Sequence, residues 1–451
     1  MIATKNGGAE LLARLDRIPV WPHSRSVLWV VGAGFFFSFF DIITIGFSLP
    51  VITREFDVSA ESASWAITSG LIGYIIGSFL DSRIGDRYGR RVSLYLSVGM
   101  FSIGSLLSAT STDLGWLIFW RLISGMGIGA EIALATTYIG EMSPAPLRGR
   151  YTGWAISCAF AGFAVVPLLA LYLVPEFSWG WRALFVIGAA GGILIAVMRR
   201  SLPDSIHWLI TQNRLEEAER TVLAAEVRAQ KRIGRPLPAP APVLTSAGSP
   251  EGGFSLLFHR KTRNQLILLG VIWFVYYVGN YAWLTLAADL FAKHGFSLSQ
   301  SIGSLAITGF GFVAGSIAAV YLSDRIDRRK TASVVAILWA GTLVIIGYFP
   351  SPAIIAIFGF AASCTIGFII PILYTITGES FPTRARATGV SLSDGVGHLG
   401  GAFCGQIIFA IESFAGFSGA FIGMAVTGIL TAVLVLFIQR QTGKSLDEIG
   451  N

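Results

Sequence analysis

Residues 86–91 read Asp86-Arg87-Tyr88-Gly89-Arg90-Arg91, and residues 324–329 read Asp324-Arg325-Ile326-Asp327-Arg328-Arg329. A second pair of motifs keeps the same spacing: Glu141-x-x-Pro144-x-x-x-Arg148 and Glu379-x-x-Pro382-x-x-x-Arg386. Both pairs are offset by 238 residues, 86 to 324 and 141 to 379. Two independent motifs sharing one offset point to a duplicated unit. Each copy is embedded in apolar runs of the length that crosses a bilayer, about 20 residues. Twelve such runs are read, six within 27–198 and six within 265–438, the last three at about 353–376, 387–411 and 417–438. The expected fold is an all-α membrane protein of twelve spans in two pseudo-symmetric six-helix bundles. Parallel repeats of this kind suit rocking of two halves around a midplane site.

Composition agrees. Of 451 residues, 53% are hydrophobic and 13% charged, against roughly 25% charged in a soluble domain. A soluble enzyme and a disordered chain are excluded. The 52 glycines suit helices that approach closely in lipid. Cys158, Cys364 and Cys404 lie dispersed in apolar runs, which argues against a disulfide framework or a zinc site. No close His/Cys cluster suggests a metal, and no Gly-Lys-Ser/Thr phosphate loop suggests ATP. No cofactor is expected.

Of the 33 Lys and Arg, all but Arg54, Arg121, Arg182 and Lys293 fall on one set of alternate connections. By the positive-inside rule that side is cytoplasmic, with both termini inside. The net charge of +7 thus reports orientation, not a nucleic-acid partner. The resulting divisions are a cytoplasmic segment 1–26, a bundle 27–198, a cytoplasmic central loop 199–264, a bundle 265–438 and a tail 439–451. Within the first, "AELLARLDRI" is expected to lie on the membrane surface as a short amphipathic helix. The central loop opens as a charged helix and passes into a Pro/Ala/Gly/Ser linker.

With these residues in place, the chain resembles the major facilitator superfamily. "SRIGDRYGRR" is similar to its signature between spans two and three, with Ser82 in place of the usual Gly. Arg121-x-x-x-Gly125-x-Gly127-x-Gly129 resembles its fourth-span signature. "PDSIHWL" after span six and "TGKSLDEI" near the end resemble segments of sugar-porter-like members. Phe39 to Gly46, "FFDIITIG", resembles the first span of aromatic-acid and metabolite proton symporters and niacin-type carriers, although Ser38 stands where that group often carries a further Asp. The resemblance implies that Arg121 aids proton coupling. It also implies that the position of His398 bears on the sign of the substrate's charge.

Charges confined to one half are the candidates for chemistry. Asp41 pairs in the repeat with Gly279, Arg121 with Gly359, Glu131 with Ile369, Asp394 with Ile156 and His398 with Phe160. Intramembrane ionisable groups are costly and mark function by default. Asp41 and Glu131 are therefore proton-coupling candidates, and the resemblance adds Arg121 to them; a structural contact between helices is the competing account. Arg121 and Glu131 stand ten residues apart on one span, about 15 Å along a helix. Arg121 has Asp41, Glu131 or a substrate carboxylate as its expected partner. Asp394 and His398, four apart, share a helix face and form either an internal ion pair or a substrate contact. Span seven adds Tyr277, Asn280 and Tyr281, which would face a central cavity if the helix breaks near Gly279. Tyr374 and Trp154 complete the substrate candidates. The repeated Asp86, Arg90, Glu141 and Arg148, with Asp324, Arg328, Glu379 and Arg386, are expected to gate by ion pairs between the bundles and by contacts at helix ends in the outward-open state; orientation by the basic loops alone is the competing account.

The function expected is proton-driven symport of a small organic acid, an aromatic or pyridine carboxylate for preference, by alternating access. A sugar or polyol symporter and an organic-cation transporter are the alternatives. The partners are the small-molecule substrate, protons and the lipid bilayer. The expected setting is a monomer in a bacterial inner membrane.

Overall fold

A computed structural model describes residues 2–240, 253–322, 327–381 and 385–438. Asp324, Pro382 and the tail 439–451 lie outside the described residues, as does the linker at 241–252. The described elements are α1 (Ile2–Asp16), α2 (Arg25–Glu55), α3 (Ala60–Tyr88), α4 (Arg90–Ala109), α5 (Leu114–Met142), α6 (Arg148–Glu176), α7 (Gly180–Met198), α8 (Ile206–Thr211) and α9 (Leu215–Ile233). The second half continues with α10 (Gly253–Leu256), α11 (Arg260–Lys293), α12 (Leu298–Ala306), α13 (Thr308–Leu322), α14 (Arg328–Tyr348), α15 (Pro352–Glu379), α16 (Arg386–Ala402) and α17 (Cys404–Val435).

These are the twelve spans of the repeat. Spans one to six are α2 to α7. Span seven is α11, span eight is α12 with α13, span nine is α14 and span ten is α15. Span eleven continues from α16 into the first leg of α17, and span twelve is its second leg. The two legs part at Gly416, whose φ of 66° lies in the left-handed region that glycine enters without a steric penalty. Hydroxyl and carboxylate caps start many helices: Ser59 accepts from Ser62 N–H, Asp113 from Trp116 N–H and Ser351 from Ile354 N–H. Each cap satisfies a backbone donor that the helix itself leaves unpaired.

The duplication extends to backbone packing. A Cβ at Gly73, Gly77 or Gly129 would overlap backbone atoms of Leu122, Met126 or Tyr74, where α3 crosses α5. The equivalents Gly311, Gly315 and Gly367 meet the backbones of Phe360, Cys364 and Phe312, where α13 crosses α15. Removing the Cβ lets the two helices touch main chain to main chain, the usual device for cohesion in lipid.

Three sequence expectations change. First, α1 has a partner within the chain for its apolar face. It packs on α9: Leu11, Leu15 and Ile18 share a buried cluster with Ala218, Val222 and Ala225. Arg14 and Arg17 close on Glu226 at 2.7 and 2.6 Å. The apolar face of so polar a helix finds a matching one on α9, and the charges on both are neutralised in the seam. Burial opposes ionisation of Glu226, but its hydrogen bonds from Arg14 and Arg17 prevail and hold the carboxyl below its ordinary value. Second, Arg199 is not part of a cytoplasmic loop. It is fully buried, its side chain turned back into the first bundle. Third, α11 is continuous through Gly279, because that glycine fits against Thr427 and Trp339 of the neighbouring spans.

Candidate functional site

The first bundle holds two buried ion pairs at different depths. On α2, Asp41 is 1% exposed, and Arg121 on α5 is 3% exposed. Arg121 Nη1 lies 2.5 Å from Asp41 Oδ2. Ser105 of α4 donates to Asp41 Oδ1, and Ser124 donates to Oδ2 at 3.1 Å. The Phe185 ring lies 5.3 Å from the guanidinium. Three donors and an aromatic face replace the water that a carboxylate and a guanidinium lose on burial.

Nearer the termini, Glu131 of α5 pairs with Arg199. Arg199 Nη1 donates to Glu131 Oε2 at 2.8 Å, and Nη2 donates to Oε1. Ser97 of α4 adds a third hydrogen bond at 2.8 Å, and Arg199 also donates to the Leu94 carbonyl. Gly34 of α2 leaves room for both side chains. So Arg121 and Glu131 do not share a partner, although they stand on one helix.

The second bundle contributes an aromatic and acidic cluster. Tyr374 and Tyr277 donate to Asp394 Oδ1 at 2.6 and 3.2 Å. His398 Nδ1 lies 2.9 Å from the Asp394 carbonyl and 3.3 Å from Oδ2. Across the bundle boundary, the Tyr74 ring of α3 stacks on the His398 imidazole at 4.0 Å and 12°. Tyr281 stands 5.8 Å from the same imidazole.

Between the halves lies a cavity of about 20 Å³ lined by Arg121, Tyr74, Tyr281, Thr285, Ile128 and Gly70, among others. That volume admits one water. Tyr281 thus reaches the cavity without a helix break. Asn280 is buried, and its Oδ1 finds no hydrogen-bond partner among the described residues. Trp154 stands apart, at the α2–α6 seam against Trp29 and Gly32.

The repeated motifs also differ from expectation. Arg90 binds Glu141 at 2.9 Å and Asp86 at 2.5 Å, and Arg328 binds Glu379. Both Arg–Glu pairs lie within one half and span 51 residues. They are not the expected links between bundles, because the start of the third span and the end of the fourth meet on the same face of the same bundle. Arg148 and Arg386 donate to the carbonyls of Ser143 and Gly378. The "PDSIHWL" segment braces the first motif: Ser205 donates to Glu141, and Trp208 Nε1 donates to the Asp86 carbonyl at 3.1 Å. Interbundle hydrogen bonds occur instead towards the opposite membrane face. There Thr68 donates to the Ala402 carbonyl at 2.7 Å, and Gln406 donates to Ser64 and Thr68.

A family model for sugar (and other) transporters matches residues 27–451. The chain belongs to that transporter family. The transporter is 27% identical to the niacin transporter of Acinetobacter baylyi over 98% of its own length and 100% of that protein's. It is 27% identical to the 4-hydroxybenzoate transporter of the same species, over 89% and 88% of the two chains. A solved structure of the xylose transporter of E. coli, partially occluded and inward open, superposes with a TM-score of 0.75 at 18% identity, covering 93% of this chain and 99% of that one. The fold is that of the major facilitator superfamily. This is a multi-pass membrane transporter, not an enzyme.

Sequence reading did not find Arg199, Tyr74 or the serines 97, 105 and 124. Arg199 sits beside Arg200 at the end of an apolar run and reads as a loop cation. Its signal was indirect: a buried Glu131 requires a partner. Tyr74, within "GLIGYIIG", carries no charge to mark it.

Proposed function

We propose that the chain is a proton-coupled symporter that imports a small organic acid across the bacterial inner membrane, with both termini cytoplasmic. The observation that carries this reading is the buried Asp41–Arg121 pair, of which Arg121 lines the cavity between the halves. Asp41 takes the proton. Arg121 is the partner of Asp41 until the proton arrives, and Glu131 with Arg199 forms a second charge pair on the cytoplasmic side. Tyr277, Tyr281, Tyr374, Asp394 and His398 form the substrate wall of the second bundle. The paired Arg–Glu motifs brace each bundle during rocking. Two relatives with ring carboxylate substrates in their names support an aromatic or pyridine acid.

The test is uptake into proteoliposomes with and without an inward proton gradient. Gradient-driven accumulation should be lost in Asp41→Asn while exchange of substrate across equilibrated membranes persists. Unchanged accumulation in Asp41→Asn would sink the assignment. A sugar is the second reading, favoured by the acceptor and hydroxyl cluster of Asp394, Tyr277 and Tyr374. Competition between a ring carboxylate, its amide and xylose separates the two.

A further inference from the structure

We infer that Arg121 is the anchor for the substrate's carboxylate, which takes the guanidinium over from Asp41 when Asp41 is protonated, so that one proton and one monocarboxylate on a flat ring enter together. This rests on the symport reading above and makes it specific.

The argument begins with charge. Asp41 and Arg121 are both buried and form a neutral pair. Protonating Asp41 alone leaves an uncompensated guanidinium in the bundle, which is strongly unfavourable. Binding an organic anion alone puts two negative groups on one cation. Only the two events together keep the site neutral. Proton and anion therefore favour each other, and that coupling is reciprocal.

The geometry provides the place. Arg121 is the cation among the cavity-lining residues, and its Nε is buried without a hydrogen-bond partner. A guanidinium presents donors in a planar fork suited to a carboxylate. Asp41 engages one nitrogen, Nη1, so the fork is not filled. Beside it, Tyr74 and Tyr281 line the same cavity, and Tyr74 lies flat on His398 of the other bundle. A substrate ring parting that stack would touch both halves while its carboxylate reached Arg121. The cavity must widen for this, which the rocking of α3 and α5 against α11 and α16 supplies.

Among the described residues, no other acid and no imidazole is bonded to Asp41. Ser105 of α4, Ser124 of α5 and Gly188 of α7 surround it, and Gly70 of α3 lies against Arg121. Across the cavity stand the Tyr281 and Tyr74 phenols, and behind Tyr74 the His398–Asp394 pair. Glu131 is engaged by Arg199.

The experiment measures binding of benzoate, nicotinate and their amides to the purified full chain between pH 5.5 and 8, where both acids stay ionised. Carboxylate affinity should weaken at least tenfold across that range in the wild type, since each bound anion brings a proton. In Asp41→Asn the affinity should be at least that of the wild type at pH 5.5 and change less than twofold with pH. Arg121→Gln should abolish carboxylate binding. If that variant fails to fold, the Asp41→Asn/Arg121→Gln double variant, which leaves no lone charge, should fold and still not bind. Failure of both carboxylates to bind the wild type at pH 5.5 overturns the inference. So does full pH dependence retained in Asp41→Asn; if that variant has also lost accumulation, the symport reading survives and only the exchange of partners falls. Transport of benzoate that responds to membrane voltage at fixed pH also overturns it, because paired entry is electroneutral.

Discussion

The pair of Glu131 and Arg199 offers a quantitative test of how the first bundle is held. Both side chains are buried, at 1% and 0% exposure. Glu131→Leu removes the carboxylate and leaves Arg199 charged among apolar neighbours, and Arg199→Leu does the converse. Stranding one member of a buried pair costs about 3–5 kcal/mol. A unit of 150–250 residues loses roughly 2–4 °C of melting temperature per kcal/mol, and the bundle of α2 to α7 falls in that range. Each single variant should therefore melt about 6–20 °C below the wild type. The double variant Glu131→Leu/Arg199→Leu carries no lone charge. It loses the hydrogen bonds of Ser97 and of the Leu94 carbonyl, about 0.5–1.5 kcal/mol each, and should recover at least half of the deficit. The assay is thermal unfolding in detergent with a thiol-reactive dye, since Cys404 is buried and Cys158 half-buried. Single variants melting within about 2 °C of the wild type would refute the reasoning. So would a double variant melting below both singles.

Three further outcomes are expected. Gly129→Ala and Gly367→Ala force main chains apart at equivalent crossings and should each cost about 1–3 kcal/mol, whereas Gly99→Ala, with nothing within 4 Å of the added carbon, should be neutral; melting temperatures check this. Burial lowers the His23 imidazole to about 4, with Arg228 and Arg232 adding to the effect. Its neutral form therefore stabilises the docking of the N-terminal segment fully above about 6.5, and that contribution, about 3 kcal/mol, drains away as pH falls towards 4. Cleavage near Arg25 by an acid-tolerant protease should rise over that interval and should do so far less in His23→Gln. Gln406→Leu removes the donor to Ser64 and Thr68 and should speed labelling of a cysteine placed at the buried Leu71, one turn beyond Thr68 on the cavity wall, several-fold; equal labelling rates would show that these bonds do not seal that face.

The layout was legible because lipid imposes it. An apolar run of fixed length, a basic bias on one face and a repeat offset are all one-dimensional quantities. The motif glycines could be read as close-packing sites for the same reason. The interior charges were legible as a set: Asp41, Arg121, Glu131, Asp394 and His398 stand out against the repeat and against an apolar background. Their partners were less so. Helical spacing put Arg121 and Glu131 on one face and left several partners open, but it could not say which neighbouring helix would meet them. The repeated motifs were expected to make ion pairs between bundles and contacts at helix ends; the Arg–Glu pairs lie within each half and the second arginines meet helix-end carbonyls, since spacing does not distinguish contact within a bundle from contact between bundles.

By itself, then, the sequence determined a duplicated twelve-span chain and the short roster of charges that lipid would not otherwise tolerate. Tertiary structure decided who holds whom: Asp41 with Arg121, Glu131 with Arg199, and Tyr74 against His398 across the cavity. The physical reason is that hydropathy and charge bias are summed along the chain, whereas the neutralisation of a buried charge depends on atoms brought within about 3 Å by helices distant in sequence.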